Sequence, residues 1–293
     1  MRRTLIIWLA LLSCISLAHA EPIQIGSFNI KYLGDGTDDR NPRDGNDIRK
    51  LGQIIHLLDI DLLAVVEVEN GLALEKLIEK MPKDDQGSAL YDYTIGQSGG
   101  QQKIGIIFRK DRISFIQEPS ELLELQEAWT PTKDLFPRLP LYSYVQAGNF
   151  DFHFIALHMK AMFDYDSIKR RERELEKLRE WIEGKLSADA DVVIVGDLNE
   201  QLDSAPFAKL NEDDTYYFCT SELSCDYTYI GIKSLIDHII VSKVTGGAKV
   251  EYVEKSIRVF PSDILLKHLY GNLDDLQDRL SDHRLIFGTF ATE

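Results

Sequence analysis

Asp197 and Asn199 stand one residue apart at the end of a short apolar run, residues 192–195, that Gly196 closes. Such a run, flanked by charge, reads as a strand buried on both faces. Residues two apart on an extended chain point the same way, so a carboxylate and an amide should project together from the strand's end. That pair suits polarising a water molecule or holding a hard cation. A strand end closed by an Asx-type turn is the plainer alternative. Other polar residues recur at comparable places. Asn29 ends a strand over 23–30, Glu67 sits near the end of the run 61–68, and His158 follows a strand over 150–157. Asp237 lies in a strand over 235–242, and Asp282 and His283 precede a last strand over 285–290. Glu67 is the anomaly, since a lone buried carboxylate is costly without a partner or a metal. Glu69 shares its side of the strand, so either acid could do the work. Singly, each residue has a bland reading: a turn cap for Asn29, core histidines for His158 and His283, an ion pair for Asp237. As a set they are harder to dismiss, because each buried polar group needs a partner.

The positioning elements follow from pattern. Between the strands run a helix with Ile48, Leu51, Ile55 and Leu58 on one face, capped by Asp47, and a longer one with Ile168, Leu175, Leu178, Ile182 and Leu186, capped by Asp166. Gly34 to Asn46 reads as a solvated polar loop without the ordered spacing of a calcium loop. Residues 262–280 read as partly helical, broken at Gly271-Asn272. Strands and helices mix without strict alternation, which favours a layered α/β sandwich over a barrel or a doubly wound sheet.

Residues 1–20 read as a secretory signal: Arg2 and Arg3, an apolar stretch, then Ala18-His19-Ala20. It is too short for a stable membrane span; a lipoprotein signal cut before Cys14 is the minority alternative. The expected product is an exported chain, periplasmic or secreted, with residues 21–293 as a single domain and no linker or repeat. Loss of two arginines and no acids takes the formal charge from −15 to −17. That balance argues against indiscriminate duplex binding. Cys219 and Cys225, close together in an exported chain, are expected to form a disulfide.

Six fragments carry a resemblance: Ser27-Phe28-Asn29-Ile30, Val66-Glu67-Val68, Leu157-His158, Gly196-Asp197-Leu198-Asn199, Ile236-Asp237-His238 and Ser281-Asp282-His283. In this order they resemble the endonuclease/exonuclease/phosphatase superfamily, which has the deoxyribonuclease I-like fold. The resemblance implies a four-layer α-β-β-α sandwich, α+β in class, with two packed mixed β-sheets and the site at one edge. It implies a Mg²⁺ site (Mn²⁺ or Ca²⁺ being alternatives) at Glu67, helped by Asn29 and Asp282. His283 would be the base or electrostatic partner at the attacking water, oriented by Asp237. Asp197 and Asn199 would position that water and a phosphate oxygen, and His158 would donate to a non-bridging oxygen. Lys160, Arg138 and Arg170 are candidates for substrate phosphates. Two departures stand out: Val66 replaces the usual Gln, and His238 a common Tyr. The implied activity is hydrolysis of phosphodiesters, nucleic acid first. A sphingomyelinase-type phospholipase C or inositol-phosphate phosphatase is the alternative, and a catalytically silent binding domain a further one. No protein partner is implied, and a monomer is expected.

Overall fold

The computed structural model describes residues 21–187, 190–224, 226–243 and 248–293. Residues 1–20, read above as a secretory signal and including Cys14, and Cys225 lie outside the described residues. In chain order the elements begin with β1 (Ile23–Leu33), α1 (Gly45–Leu57), β2 (Leu62–Val68), α2 (Gly71–Glu79), β3 (Tyr91–Ile95), β4 (Lys103–Arg109) and β5 (Ser114–Glu121). A small ribbon, β6 (Ala128–Thr130) with β7 (Lys133–Asp134), precedes β8 (Leu141–Ala147), β9 (Phe150–His158), α3 (Tyr165–Lys185) and β10 (Val192–Asp197). The chain ends with α4 (Ala205–Leu210), β11 (Tyr216–Phe218), β12 (Asp237–Ser242), β13 (Arg258–Val259), α5 (Ser262–Leu265), α6 (Lys267–Tyr270), α7 (Leu273–Arg279) and β14 (Ile286–Phe290).

The helices α1, α2, α3 and α7 each begin where a side chain accepts a free N–H group of the first turn. For α1 that residue is Asp44, with Asp47 returning the bond as the third residue of a capping box. For α3 it is Asp164. Both caps lie slightly N-terminal to the aspartates expected from sequence, because a neighbouring Asp within three residues could serve equally by type.

One sheet has the order β13-β14-β1-β2-β4-β3 and the other β11-β12-β10-β9-β8-β5. Each holds a single parallel pair at its centre, β1 with β2 and β9 with β10, and antiparallel neighbours outside it. The connections α1 and α3 make each pair a βαβ unit. A core of Val66, Ile104, Phe152, Phe154, Val195 and Ile239, among others, fills the space between the sheets. On the outer faces, Leu51, Ile55, Leu74 and Leu77 of α1 and α2 cover the first sheet, and Leu175, Leu178 and Phe207 of α3 and α4 cover the second. The layers are therefore α-β-β-α, as the resemblance implied.

This topology decides where chemistry can sit. Asn29, Glu67, His158 and Asp197 all lie toward the C-terminal ends of the four parallel strands. Antiparallel neighbours start at that same edge, so β12 opens with Asp237, paired to Asp197 across the ladder, and Asp282-His283 lead into β14.

Gly196 is fixed at the turn-out of β10. Its φ is +150°, and a Cβ there would lie 1.9 Å from the Leu157 carbonyl oxygen. Gly196→Ala must push β9 and β10 apart, at about 3 kcal/mol, so Tm measured by circular dichroism is expected to fall by roughly 6–12 °C.

Candidate active site

The site is built on a shared irregularity of β1 and β2. Their ladder jumps from Asn29↔Val66 to Leu33↔Val68, and the β2–β4 ladder skips Glu67. Lys31, Tyr32 and Glu67 adopt φ values of +49°, +52° and +62°. Left-handed non-glycine residues cost about 1–3 kcal/mol each and persist only when their surroundings hold them. The bulge removes Glu67 from the sheet pattern and leaves its carboxylate at the edge. There Gln102 Nε2 donates to Oε1 at 2.9 Å, with the Asn29 side chain close by. Glu69 instead accepts the Arg40 backbone N–H at 2.9 Å and is buried. Of the two acids, Glu67 belongs to the site.

Arg43 holds the bulge. Its guanidinium donates to the carbonyls of Ile30, Lys31 and Tyr32, and also to those of Arg279 and Leu280, just before Asp282 and His283. One half-buried side chain thus joins the segment carrying Asn29 to the segment carrying His283. Ser281 adds a second tie, donating to the Asn29 carbonyl at 2.6 Å and accepting the His283 N–H at 2.9 Å. The loop read as solvated therefore contains a strap that ties two segments of the site together. Arg43→Ala removes a donor from five carbonyls, of which that of Lys31 keeps Asn41 Nδ2 at 3.1 Å, so it should lower Tm and weaken divalent-cation binding together, by calorimetry. Arg43→Lys, with fewer donors and no planar fork, should recover only part of each.

Across the edge, Asp237 Oδ2 accepts from His283 Nδ1 at 2.7 Å, and Thr228 Oγ1 accepts the Asp237 N–H at 3.0 Å. His283 Nε2 then faces Asp197 Oδ2 at 3.8 Å. Asn29 Nδ2 donates to that same oxygen at 2.9 Å, while Asp197 Oδ1 accepts the Asn199 N–H at 3.0 Å. Asn199 has φ +53° and donates through its amide to the Met159 carbonyl at 3.3 Å. His158 Nε2 lies 3.8 Å from both Glu67 Oε1 and Asp197 Oδ2, and 3.3 Å from Arg138 Nη2. His158, Asp197, Asn199, Asp237 and His283 thus meet at one edge.

Burial sets the charges. It would lower the His283 pKa, but Asp237, Asp197 and Asp282 outweigh it and push the imidazole up to about 10. His158, fully buried beside Arg138 and His283, is held well below the ordinary histidine value and is neutral. Burial, then the Asp237 charge, pushes Asp197 up to about 7 against the lowering influence of His283 and Asn29. Glu67 is raised by burial and by the Asp282 charge, with His283, Asn29 and Arg138 opposing.

Asp197, Asp237 and His283 each present a ligand atom within 4.8 Å of one another. His283 and Asp237 are spent on each other through a 2.7 Å hydrogen bond, however, so this trio is suited to moving a proton. A hard cation could instead be held by Glu67 with Asp282 and the Asn29 amide, whose oxygen accepts the Lys31 N–H at 3.0 Å while its nitrogen faces Asp197. The Asp282 charge raises the proton affinity of Glu67 there, and the Lys31 ammonium is 3.9 Å from Asp282. Oxygen donors of this kind suit a divalent hard ion.

The basic candidates separate. Arg138 is buried beside His158, and Lys160 turns its ammonium to the Ala161 carbonyl. Arg170 is not brought to the site: its guanidinium donates to the carbonyls of Asp134 and Leu135 and lies 3.7 Å from Glu174. It packs α3 against the ribbon segment. Cys219 is a buried free thiol, so the expected bridge is not seen there, and Cys225 lies outside the described residues. His238 packs behind the site, bonded to Thr220 Oγ1 and the Glu200 carbonyl.

Three site residues escaped the sequence reading. Gln102 supplies the amide beside Glu67 that Val66 lacks, and it accepts from Arg138 Nη2 at 2.8 Å. The Tyr229 ring lies 5.1 Å from that of His283, and Tyr32 has its hydroxyl within the field of Glu67 and Arg138. Only the departure at Val66 hinted that another residue must support Glu67.

The family model for the endonuclease/exonuclease/phosphatase family matches residues 26–283. The chain belongs to this family. Its members hydrolyse phosphoester bonds and depend on a metal. Solved structures of the family share the fold at low identity. Danio rerio TDP2 in complex with a single-strand DNA product is 18% identical, with TM-score 0.65, covering 92% of this chain and 98% of that one. A mannosyl-6-phosphatase of Bacteroides thetaiotaomicron VPI-5482 is 16% identical, with TM-score 0.60, covering 91% and 98%. A family protein from Bacteroides vulgatus is 15% identical, with TM-score 0.62, covering 93% and 100%. No curated protein sequence is matched.

Proposed function

We propose that this family member is an exported, divalent-metal-dependent phosphodiesterase acting on nucleic acid, with Mg²⁺ as its ordinary ion. The observation that carries this reading is the meeting of Glu67, Asp197 and His283 at one edge, with the Asn29 side chain close to Glu67 and donating to Asp197. Glu67, Asp282 and Asn29 would hold the ion, which supplies a positive charge to polarise a phosphoryl oxygen and stabilise the leaving oxygen. The residues do the rest. Asp197 and Asn199 orient a water; its proton passes to the Asp197–His283 pair as its oxygen bonds to phosphorus and the P–O bond to the leaving group breaks. Asp237 fixes the imidazole through Nδ1. His158 turns Nε2 toward the same place, where it accepts from Arg138 Nη2; with Arg138 turned to the phosphate and the proton on Nε2, it would donate to a non-bridging oxygen as negative charge grows.

Export is supported by the basic start, apolar stretch and Ala18-His19-Ala20 of residues 1–20; a mature N-terminus at Glu21 in the periplasmic or culture fraction tests it. No described helix is long and apolar enough to cross a membrane. Ile264, Leu265 and Leu269 are exposed on α5 and α6, which favours a lipid-headgroup esterase as the second reading. Bis(p-nitrophenyl) phosphate and p-nitrophenyl phosphate, each with Mg²⁺, Mn²⁺, Ca²⁺ or chelator, decide the class. Chelator-sensitive turnover of the diester is expected. Turnover of the monoester alone makes the protein a phosphatase, and no turnover of either makes it a silent binding domain. A product panel of single-stranded DNA, RNA and sphingomyelin vesicles then separates nucleic acid from lipid.

A further inference from the structure

A cleft of about 470 Å³ opens beside the site, lined by Phe163, Glu200, Gln201, Leu202, Asp203, Ser204 and Leu235. Its position follows from the strand order. Glu200 follows Asn199 at the end of β10, and Leu235 precedes Asp237 at the start of β12, so the cleft sits over β10 and β12. Arg138 instead leads into β8, on the far side of His158 and β9.

The walls are held to the catalytic edge by one residue. Arg171, fully buried, donates from Nε to Glu200 Oε1 at 2.6 Å and from Nη1 to the carbonyls of Lys160 and Met162 at 2.6 and 2.7 Å. The strap that presents Phe163 is thereby fixed against the segment after Asn199. Phe163 remains half exposed at the cleft.

The charge of the cleft selects its occupant. No lysine, arginine or histidine lines it. The Glu200 charge is matched by Arg171 behind it, while the exposed Asp203 carboxylate has no ion-pair partner among the described residues. A second phosphate would meet an unscreened carboxylate and no cation. An uncharged ring would meet an aromatic face at Phe163 and hydrogen-bonding groups at Gln201 and Asp203 for its hydroxyls. Near the catalytic edge, cations with no carboxylate partner within 4.0 Å among the described residues include Arg138 beside His158, Arg40 stacked on the Tyr32 ring at 4.1 Å, and Lys160, whose ammonium turns to the Ala161 carbonyl and does not line the cleft.

We propose that the cleft is the subsite for an uncharged, hydroxyl-bearing ring carried directly on the scissile phosphate. The enzyme then works at the end of a phosphate-linked chain, with a terminal ring in the cleft and any further phosphates on the Arg138 and Arg40 side. This rests on the phosphodiesterase reading above. A nucleoside and a sugar share the required chemistry.

Chromogenic diesters with one leaving group test it. The purified mature protein with Mg²⁺ is given methyl p-nitrophenyl phosphate, thymidine 5′-(p-nitrophenyl phosphate), its 3′-phosphorylated form, and the p-nitrophenyl diester of a hexose 6-phosphate. The expected kcat/KM of at least one ring-bearing ester exceeds that of the methyl ester tenfold or more, and whichever ring is preferred names the source. The 3′-phosphate is expected to remove most of that gain, and Phe163→Ala to shrink the ratio of ring-bearing to methyl ester. Equal rates for methyl and ring-bearing esters, or full turnover of the 3′-phosphorylated ester, would overturn the subsite and leave the phosphodiesterase reading standing. Absence of turnover on every ester would overturn both.

Discussion

His283→Ala is expected to lower turnover by about 10²- to 10⁴-fold, the range for loss of a positioned acid–base group. It should also lower stability. Asp237 is fully buried, and its Oδ2 is paired to the His283 ring while Oδ1 has no partner. Without the imidazole, a buried carboxylate is left uncompensated, at about 3–5 kcal/mol. A second change, Asp237→Asn, removes that charge. The double variant should therefore recover much of the Tm lost by His283→Ala while remaining inactive. Steady-state kinetics and thermal melts on the three variants check this. Recovery of turnover with Tm in the double variant would mean that the pair serves packing alone.

Glu67→Gln should separate stability from metal dependence in the opposite sense. The Glu67 carboxylate is disfavoured by burial and by Asp282, and its backbone is held at φ +62°. A neutral amide of the same shape relieves the first two costs, so the metal-free variant should melt no lower than the unaltered protein. Cation binding is where the loss appears. At a Mg²⁺ concentration a hundredfold above Kd, the unaltered protein gains about 2.7 kcal/mol, or roughly 5–10 °C in Tm. Glu67→Gln should show little of that shift and lose turnover by about 10²-fold or more. A variant that keeps both the Mg²⁺-induced shift and the activity would move the ion away from Glu67.

What could be read from the chain in advance was whatever depends on local pattern. The run 192–195 closed by Gly196-Asp197 is a strand with its carboxylate at the mouth, because an apolar run leaves the backbone one way to hide its polar groups. The six fragments each fall at the end or start of a strand for the same reason, and the sheet topology gathers those ends at one edge. Long-range satisfaction was not legible. Arg43 looked like any arginine in a polar loop; its role depends on carbonyls freed by a bulge at residues 30–32 and by the turn at 279–280. Gln102 is likewise one polar residue among several near a glycine turn until folding sets it against Glu67. Arg170 erred the other way. Its charge and place at a helix start suggested phosphate binding, whereas two carbonyls of the ribbon segment claim it. Glu67 and Glu69 share a strand face by simple alternation, and only the bulge separates them.

The account turns on where a divalent ion sits. Anomalous diffraction from crystals soaked in Mn²⁺ places it directly. A peak within coordination distance of Glu67 and Asp282, with the Asn29 amide oxygen turned toward it, is the predicted result. A peak between Asp197, Asp237 and His283, with Glu67 bare, would contradict it.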